Sequence, residues 1–406
     1  MMGALSHIRV LDLSRVLAGP WATQILADLG AEVIKIEKPG EGDETRHFGP
    51  PFLTTKDGGK GDAAYFLTTN RNKKSVTVDL SQKKGAALVR RLARRAHVVV
   101  ENFKTGTLAR YGLDYKTLAA ENPALIYCSL TGFGHDGPYK DKAGYDYLVQ
   151  GMAGLMSITG QPDGAPGAEP MKVGVAVSDL LTGLYTTIGI LAALVHQGRT
   201  GEGQEIDMAL FDCQTASLAN QAMNYLAGNM VPGRLGNAHP NIVPYQVFAT
   251  ADGHLILAIA NDGQFRRFCD AAGLSGLAAD PRYATNAARV DHRDELVTLL
   301  KPVFAAKNSA GWIALLERAN VPCGPINRVD QVFADPQAIA RGLKISLDHA
   351  AAGPIDLVAS PLKLSRTPPE YVSAPPLLGQ HTEEVLRGVL DLSADEIAQL
   401  KAEKAI

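Results

Sequence analysis

The sequence predicts an α/β protein of two domains, the larger built on a parallel sheet with helices on both faces. Three observations carry that prediction. Short β-branched runs alternate with helical stretches through the first half; the texture changes past residue 224; and 406 residues at 46% hydrophobic content are enough to bury two cores.

Taken in order, IRVLDL (8–13) is a β-branched run, GPWATQILADLG (19–30) has helical spacing closed by glycine, and AEVIKIEK (31–38) is strand-like again. The scheme repeats with SVTVDL (75–80), a helix over 82–96, HVVVENF (97–103), a helical stretch ending at ENP, and ALIYCSL (124–130). Such a βαβ succession implies parallel strands sandwiched by helices. In sheets of this kind ligands gather at the carboxyl ends of the strands, which places the loops SRVLAGP, ENFKTG and TGFGHDGP on one functional rim. These elements belong to a large domain over 1–224. A smaller α/β domain follows over 225–330, with a hairpin in VFATADGHLILAIA turning at Asp252-Gly253. Residues 331–406 return to the large domain.

Composition excludes several functions. With 40 basic and 42 acidic residues the net charge is -2, so the chain has no electrostatic footprint of a nucleic-acid binder. Cys128, Cys213, Cys269 and Cys323 are far apart and form no CxxC pair, which argues against a disulfide framework and a zinc site and fits a reducing cytoplasm. The opening MMGALSHIRVLDL does not read as a secretory leader. The apolar stretch 180–195 is shorter than a bilayer span and reads as a buried helix, so no membrane partner is expected. P-loop, HExxH and GxSxG motifs are absent, the first βα turn lacks GxGxxG, and Glu37 alone is a weak ribose signal. The ten histidines are scattered singly. What remains is a set of carboxylates among small residues: Asp146 in AGYDYLVQ, Asp163 in QPDGAP and Asp179 in VAVSDLLTG. An aspartate ahead of a long apolar helix has a plain reading as its N-cap. It also has a chemical one: a carboxylate desolvated by Val175, Ala176 and Val177 and aimed at a carbonyl is a nucleophile.

Across nearly its whole length the chain resembles the class III coenzyme A transferases of the CaiB/BaiF type, the family of formyl-CoA transferase, carnitine CoA-transferase and the α-methylacyl-CoA racemases. The resemblance lies in residues 12–46, NRNKKSVTVDL (70–80), VVENFKTG (99–106), TGFGHDGPY (131–139), GYDYLVQGMAGLMSITG (144–160), GVAVSDLLTGLY (174–185), TGEGQEIDMAL (200–210) and PLLGQHT (376–382). It implies a Rossmann-like large domain built from both chain ends, a small domain, and two such chains threaded together as an interlocked-ring homodimer. It also implies a nucleophile at Asp179, with acyl-CoA and a carboxylic acid as substrates and no permanently bound cofactor or metal.

Attack of such a carboxylate on a thioester gives a mixed anhydride and the CoA thiolate, which recombine as an aspartyl-CoA thioester and the released acid. The acceptor acid then runs the sequence backwards, one thioester is exchanged for another, and neither ATP nor metal is needed. For CoA, the resemblance points to backbone contacts at Val16 and Ala18, phosphate contacts at Lys38 and Arg46, and an adenine pocket at Asn102, Phe103 and Lys104 with Arg110 nearby. Their plain reading is a solvated charged face. Formyl-CoA transferase has glutamine where Leu17 stands, which disfavours formyl and oxalate exchange. A second substrate carboxylate has candidate partners in Arg15, Arg46, Arg71 and His239; paired Arg15 and Arg71 would suit a short dicarboxylate such as succinate, and salt bridges within the large domain would account for the same arginines. Racemases of the family carry a GHD motif where this chain has Gly144-Tyr145-Asp146. Tyrosine, with an ordinary pKa near 10, is a poor base at neutral pH, so Tyr145 is expected to orient the acyl group, although a core tyrosine would look the same. A silent CoA-binding protein is the third reading.

Overall fold

The computed structural model describes residues 3–406, and these form two compact units. Within the described residues, unit 1 comprises 3–155, Lys172–Met223 and Gln337–Ile406; unit 2 comprises Met156–Met171 and Asn224–Pro336. Residues 156–171, which the sequence reading gave to the large domain, therefore belong to the second unit.

Unit 1 is organised by six parallel strands, β1 (Arg9–Asp12), β2 (Glu32–Glu37), β3 (Lys73–Thr77), β4 (Val98–Glu101), β5 (Ile126–Thr131) and β6 (Glu205–Ala209). In these labels their spatial order is 3-2-1-4-5-6. The chain runs outward from β1 on one side and then resumes beside β1 with β4, so the order reverses at the β1–β4 crevice. Alternation along each strand serves two cores: Val10, Val33, Val98 and Val100 face one side, and Leu11, Ile34, Val76 and Val99 the other.

Helix α1 (Ala18–Asp28) follows β1; α2 (Lys83–Ala93) and α3 (Tyr115–Glu121) follow β3 and β4. Then come α4 (Asp146–Met152), α5 (Val177–Thr200) and α6 (Leu210–Ala216). Helix α5 is long and apolar enough to cross a membrane, yet Ile190 and Ala193 sit in the same core as α1 and β4, so it is a core helix. Its approach to α1 is set by Gly183, where a Cβ would lie 2.7 Å from the Ala18 carbonyl oxygen. The C-terminal helices Thr382–Leu390 and Ala394–Ala402 complete the opposite core through Val385, Leu386, Leu390 and Ile397.

Unit 2 carries the antiparallel strands β7 (Tyr245–Ala249), β8 (His254–Ala258) and β9 (Cys323–Pro325), in the order β9-β8-β7. The β7–β8 hairpin turns at the expected Asp252-Gly253, with Thr250 N–H donating to the Gly253 carbonyl at 3.0 Å. Phe248 and Phe268 stack on Phe304 at 4.5 and 5.7 Å, and the fully buried Arg289 donates to the Val243 and Tyr283 carbonyls and to Asp262.

Candidate active site

A cavity of about 310 Å³ opens at the β1–β4 crevice. Arg15, Val16, Leu17 and Ala18 line it from the loop after β1, and Asn102, Phe103 and Lys104 from the loop after β4. Tyr145, Asp146 and Asp179 complete it, with Lys140 and Lys142. A second cavity, about 510 Å³, lies at the carboxyl ends of β1, β2 and β3 and shares Arg15, Glu44 and Phe103 with the first; Lys38, Asp43 and His47 are on its wall.

Asp179 stands in the first turn of α5 without serving as its cap. Ala176 occupies the N-cap position and offers no side-chain bond. The cap comes from another helix: the Asp146 carboxylate accepts from Ser178 N–H at 2.8 Å and from Asp179 N–H at 3.3 Å. Gln150, one turn along α4, donates to Asp146 at 2.7 Å and accepts from Val173 N–H. The plain N-cap reading of Asp179 is thus overturned, because Asp146 fills that role. The Asp179 carboxyl is left beside a second carboxylate and, among the described residues, forms no salt bridge. Burial, and then the Asp146 charge, push its pKa up to about 7. The desolvating residues also differ from expectation. Val175 is 56% exposed, and the apolar lining comes from the buried Leu17, Ala18, Leu130 and Leu210.

The loop after β1 holds an unusual backbone. Val16 adopts φ 69°, in the left-handed region that a β-branched residue avoids. Its neighbours fix it there. Asn102 donates to the Arg15 carbonyl at 2.8 Å and accepts from Arg15 N–H at 2.9 Å, while Asp43 accepts from Val16 N–H at 3.3 Å. Lys35 donates to the Ser14 carbonyl at 2.8 Å and pairs with Asp43 at 2.9 Å, and Lys73 pairs with Asp12 at 3.0 Å. Although burial opposes it, this pairing pulls the Asp43 carboxyl down to about 2. Burial brings the Lys73 ammonium down to about 8. Gly132 and Gly144 cross so closely that a Cβ on either would come within 2.3 Å of the other's Cα, which seats Tyr145 and Asp146 against the end of β5.

Of the residues expected at the site, Asp179, Tyr145, Val16, Ala18, Asn102, Phe103, Lys104 and Arg15 come together in the smaller cavity, and Lys38 joins the larger. Tyr145 is 72% exposed, which removes the core-tyrosine reading. Asn102, on the cavity wall, holds the Arg15 backbone through its amide. Two expectations need correction. Arg46 is buried and bonds Glu37, Asp62 and the Pro376 carbonyl, and Arg71 is buried and grips Asp28 while donating to the Val358 carbonyl. Every nitrogen of both guanidiniums is thus taken, leaving neither turned to a phosphate or a substrate carboxylate. Arg110 is exposed in the turn Leu108–Tyr111 and lines neither cavity. His239 belongs to unit 2, where its ring meets Tyr245 edge-on and accepts from Asn241 N–H.

Sequence reasoning missed Asp146 as the capping carboxylate, although Asp146 and Gln150 stand one helical turn apart. Tyr65 lines neither cavity, and its hydroxyl pKa is raised by burial and by the charges of Asp179, Asp146 and Asp43. Among the described residues no cluster of histidine, cysteine and carboxylate could hold a metal.

A doubly wound sheet, a crevice at its reversal point and a half-buried carboxylate on its rim define an α/β protein with a ligand site at the carboxyl ends of its strands. Residues 5–382 match the model of CoA-transferase family III, and the chain belongs to that family as a CoA-transferase. It is 55% identical to succinate–glutarate CoA-transferase of Agrobacterium fabrum, over 94% of this chain and 94% of that one. Human succinyl-CoA:glutarate CoA-transferase is 42% identical over 98% of this chain and 88% of its own. The crystal structure of a CaiB/BaiF family protein from Brucella suis superposes with a TM-score of 0.84 at 49% identity, covering 96% of this chain and 100% of that one.

Proposed function

We propose that the protein exchanges CoA between succinyl-CoA and a short dicarboxylic acid of the glutarate type, with Asp179 as the nucleophile that carries CoA between them. The observation that supports this reading is the Asp179 carboxyl in the crevice, in no ion pair and with its pKa raised to about 7 by burial and by Asp146. A carboxylate that forms no ion pair and is only partly solvated gives up little on attacking a carbonyl. Asp179 Oδ attacks the thioester carbon and the CoA thiolate leaves; the thiolate then attacks the Asp179 acyl carbon of the anhydride and succinate departs. The acceptor carboxylate attacks the aspartyl-CoA thioester and expels the thiolate, which takes the new acyl group and frees Asp179.

The two cavities suit a long ligand bent around Phe103, with the reacting thioester beside Asp179 and the nucleotide end toward Lys38. Backbone at Val16 and Ala18 lies along the path, and Lys104 flanks it. For the distal substrate carboxylate, Arg15 stands at the junction of the cavities, and Lys140 and Lys142 lie on the wall that holds Tyr145. Tyr145 orients the acyl group.

The enzyme acts as a homodimer in the cytoplasm. Leu184, Ile188 and Val195 on α5 and Tyr147 and Leu148 on α4 are exposed, an apolar surface that a second copy would cover.

The test is mass analysis of thioesters in deuterated water after incubating the enzyme with succinyl-CoA, with and without glutarate. Glutaryl-CoA that forms only when glutarate is supplied is the expected result, together with an enzyme adduct carrying CoA on Asp179. Deuterium entering next to the thioester carbonyl without an acceptor would replace this reading with proton-transfer chemistry.

A further inference from the structure

Glu101, the last residue of β4, is buried directly beneath the loop that carries Asn102, Phe103 and Lys104. One of its carboxylate oxygens accepts from Phe103 N–H at 2.7 Å. The other accepts from the Ser129 hydroxyl on β5. The Ser129 proton is thereby committed, so its oxygen is left to accept, and His135 Nε2 lies 2.9 Å away. His135 is fixed in turn, its backbone N–H donating to the Asp207 carboxylate on β6 at 2.9 Å. Glu101, Ser129 and His135 form a hydrogen-bonded row of side chains, and the His135 backbone ties it to Asp207, so the row crosses the carboxyl ends of three adjacent strands.

The row joins the two walls of the catalytic cavity. At one end is Phe103, which lines both cavities and lies 5.0 Å from the Arg15 guanidinium. At the other end is His135, at the start of the loop that delivers Lys140, Lys142 and Tyr145. None of the row's carboxylates or rings lines either cavity.

We propose that Glu101 is a positioning residue that acts through Ser129 and His135 to set the distance between the Phe103 wall and the Lys140–Tyr145 wall, and hence the affinity for acyl-CoA. This rests on the CoA-transferase reading above. Glu101 makes no contact with the reacting atoms, so its effect falls on binding and leaves the chemical step at Asp179 intact. Ser129 is the link through which Glu101 reaches His135, and its loss leaves the Phe103 bond in place.

In steady-state kinetics with succinyl-CoA and glutarate, Ser129→Ala is expected to raise the KM for succinyl-CoA about tenfold, the effect of one charge-assisted hydrogen bond. The same variant keeps kcat within roughly twofold of wild type, because no interaction special to the transition state is removed. Its melting temperature is expected to fall by a few degrees, because a buried Glu101 oxygen loses its donor, with kcat holding despite that fall. His135→Ala, at a half-exposed side chain that no core depends on, should move KM in the same direction by less. An unchanged KM in both variants overturns the proposal, as does a fall in kcat that tracks a fall in melting temperature. Calorimetric titration with CoA separates the two readings: wild-type protein that binds no CoA sinks the transferase assignment, whereas wild-type and Ser129→Ala proteins that bind it equally sink only the positioning role.

Discussion

Asp43 and Asp179 are the same residue type in the same unit, both largely withdrawn from water, yet their carboxyls lie at opposite ends of the scale, about 2 and about 7. Burial pushes both upward. Asp43 has the Lys35 ammonium at 2.9 Å and the Thr45 N–H and hydroxyl as donors, and these outweigh burial. Asp179 has Asp146 as its neighbour and no donor to oppose the desolvation. The partner, more than the depth, decides whether a buried carboxylate braces a loop or stays available to react.

The strongest way to break this contrast is to remove Asp179, the nucleophile we propose. Asp179→Asn should lower kcat by about three orders of magnitude or more and abolish the CoA adduct on intact-protein mass analysis. The same substitution should leave the fold more stable at neutral pH. A carboxyl whose pKa is raised on folding holds its proton more tightly in the native state, so its contribution is present below about pH 4 and is lost as pH rises toward about 7. Thermal melts across that window should therefore show wild type falling progressively below Asp179→Asn. For kcat/KM the sign is opposite: only the ionised carboxylate attacks, so the rate should climb about tenfold per pH unit on the acid side and level off above about 7.

Asp43 sharpens the comparison from the other side. Asp43→Asn leaves Lys35 buried with its nearest counter-charge removed and should cost about 3–5 kcal/mol in denaturant unfolding, much of it regained by Lys35→Met in the same chain. Because its folded pKa is depressed, the Asp43 contribution is present above about pH 4 and lost as pH falls toward about 2. Gly183→Ala should cost about 1–3 kcal/mol and lower kcat, since the new methyl meets the Ala18 carbonyl and pushes α5, with Asp179 on it, away from α1. The smallest expected effect is at Val16. Glycine there relieves the left-handed backbone and should change stability by less than about 1 kcal/mol, while KM for acyl-CoA rises a few-fold as the loop loosens.

Much of the sheet was legible because its strands are β-branched runs with a period of two, and Asp179 was legible from its charge at the mouth of an apolar helix. What the sequence hid were the pairings. The partner of the Asp179 turn lies 33 positions away on α4, and nothing local marks it. Arg46 and Arg71 illustrate the reverse error, since an arginine in a rim segment looks the same whether it faces an anionic ligand or a carboxylate of its own fold. Here Glu37 and Asp28 are those carboxylates. Strand β3 begins two residues before the expected run, with Lys73 and Lys74 held by Asp12, Glu32 and Glu384.

The last seventy residues of unit 1 have a bearing on how the chain is made. Strand β3 receives His381 N–H at the Ser75 carbonyl, and Asp79 N–H donates to the carbonyl of Ala405, one residue from the end. Ile397 and Leu390 fill the same core as Val76 and Val99. During synthesis the residues of unit 2 have all left the ribosome before this core can close, so the unit begun first is completed last. A nascent chain cut short after unit 2, or a protease that trims the final helix, would leave unit 1 with an open hydrophobic face.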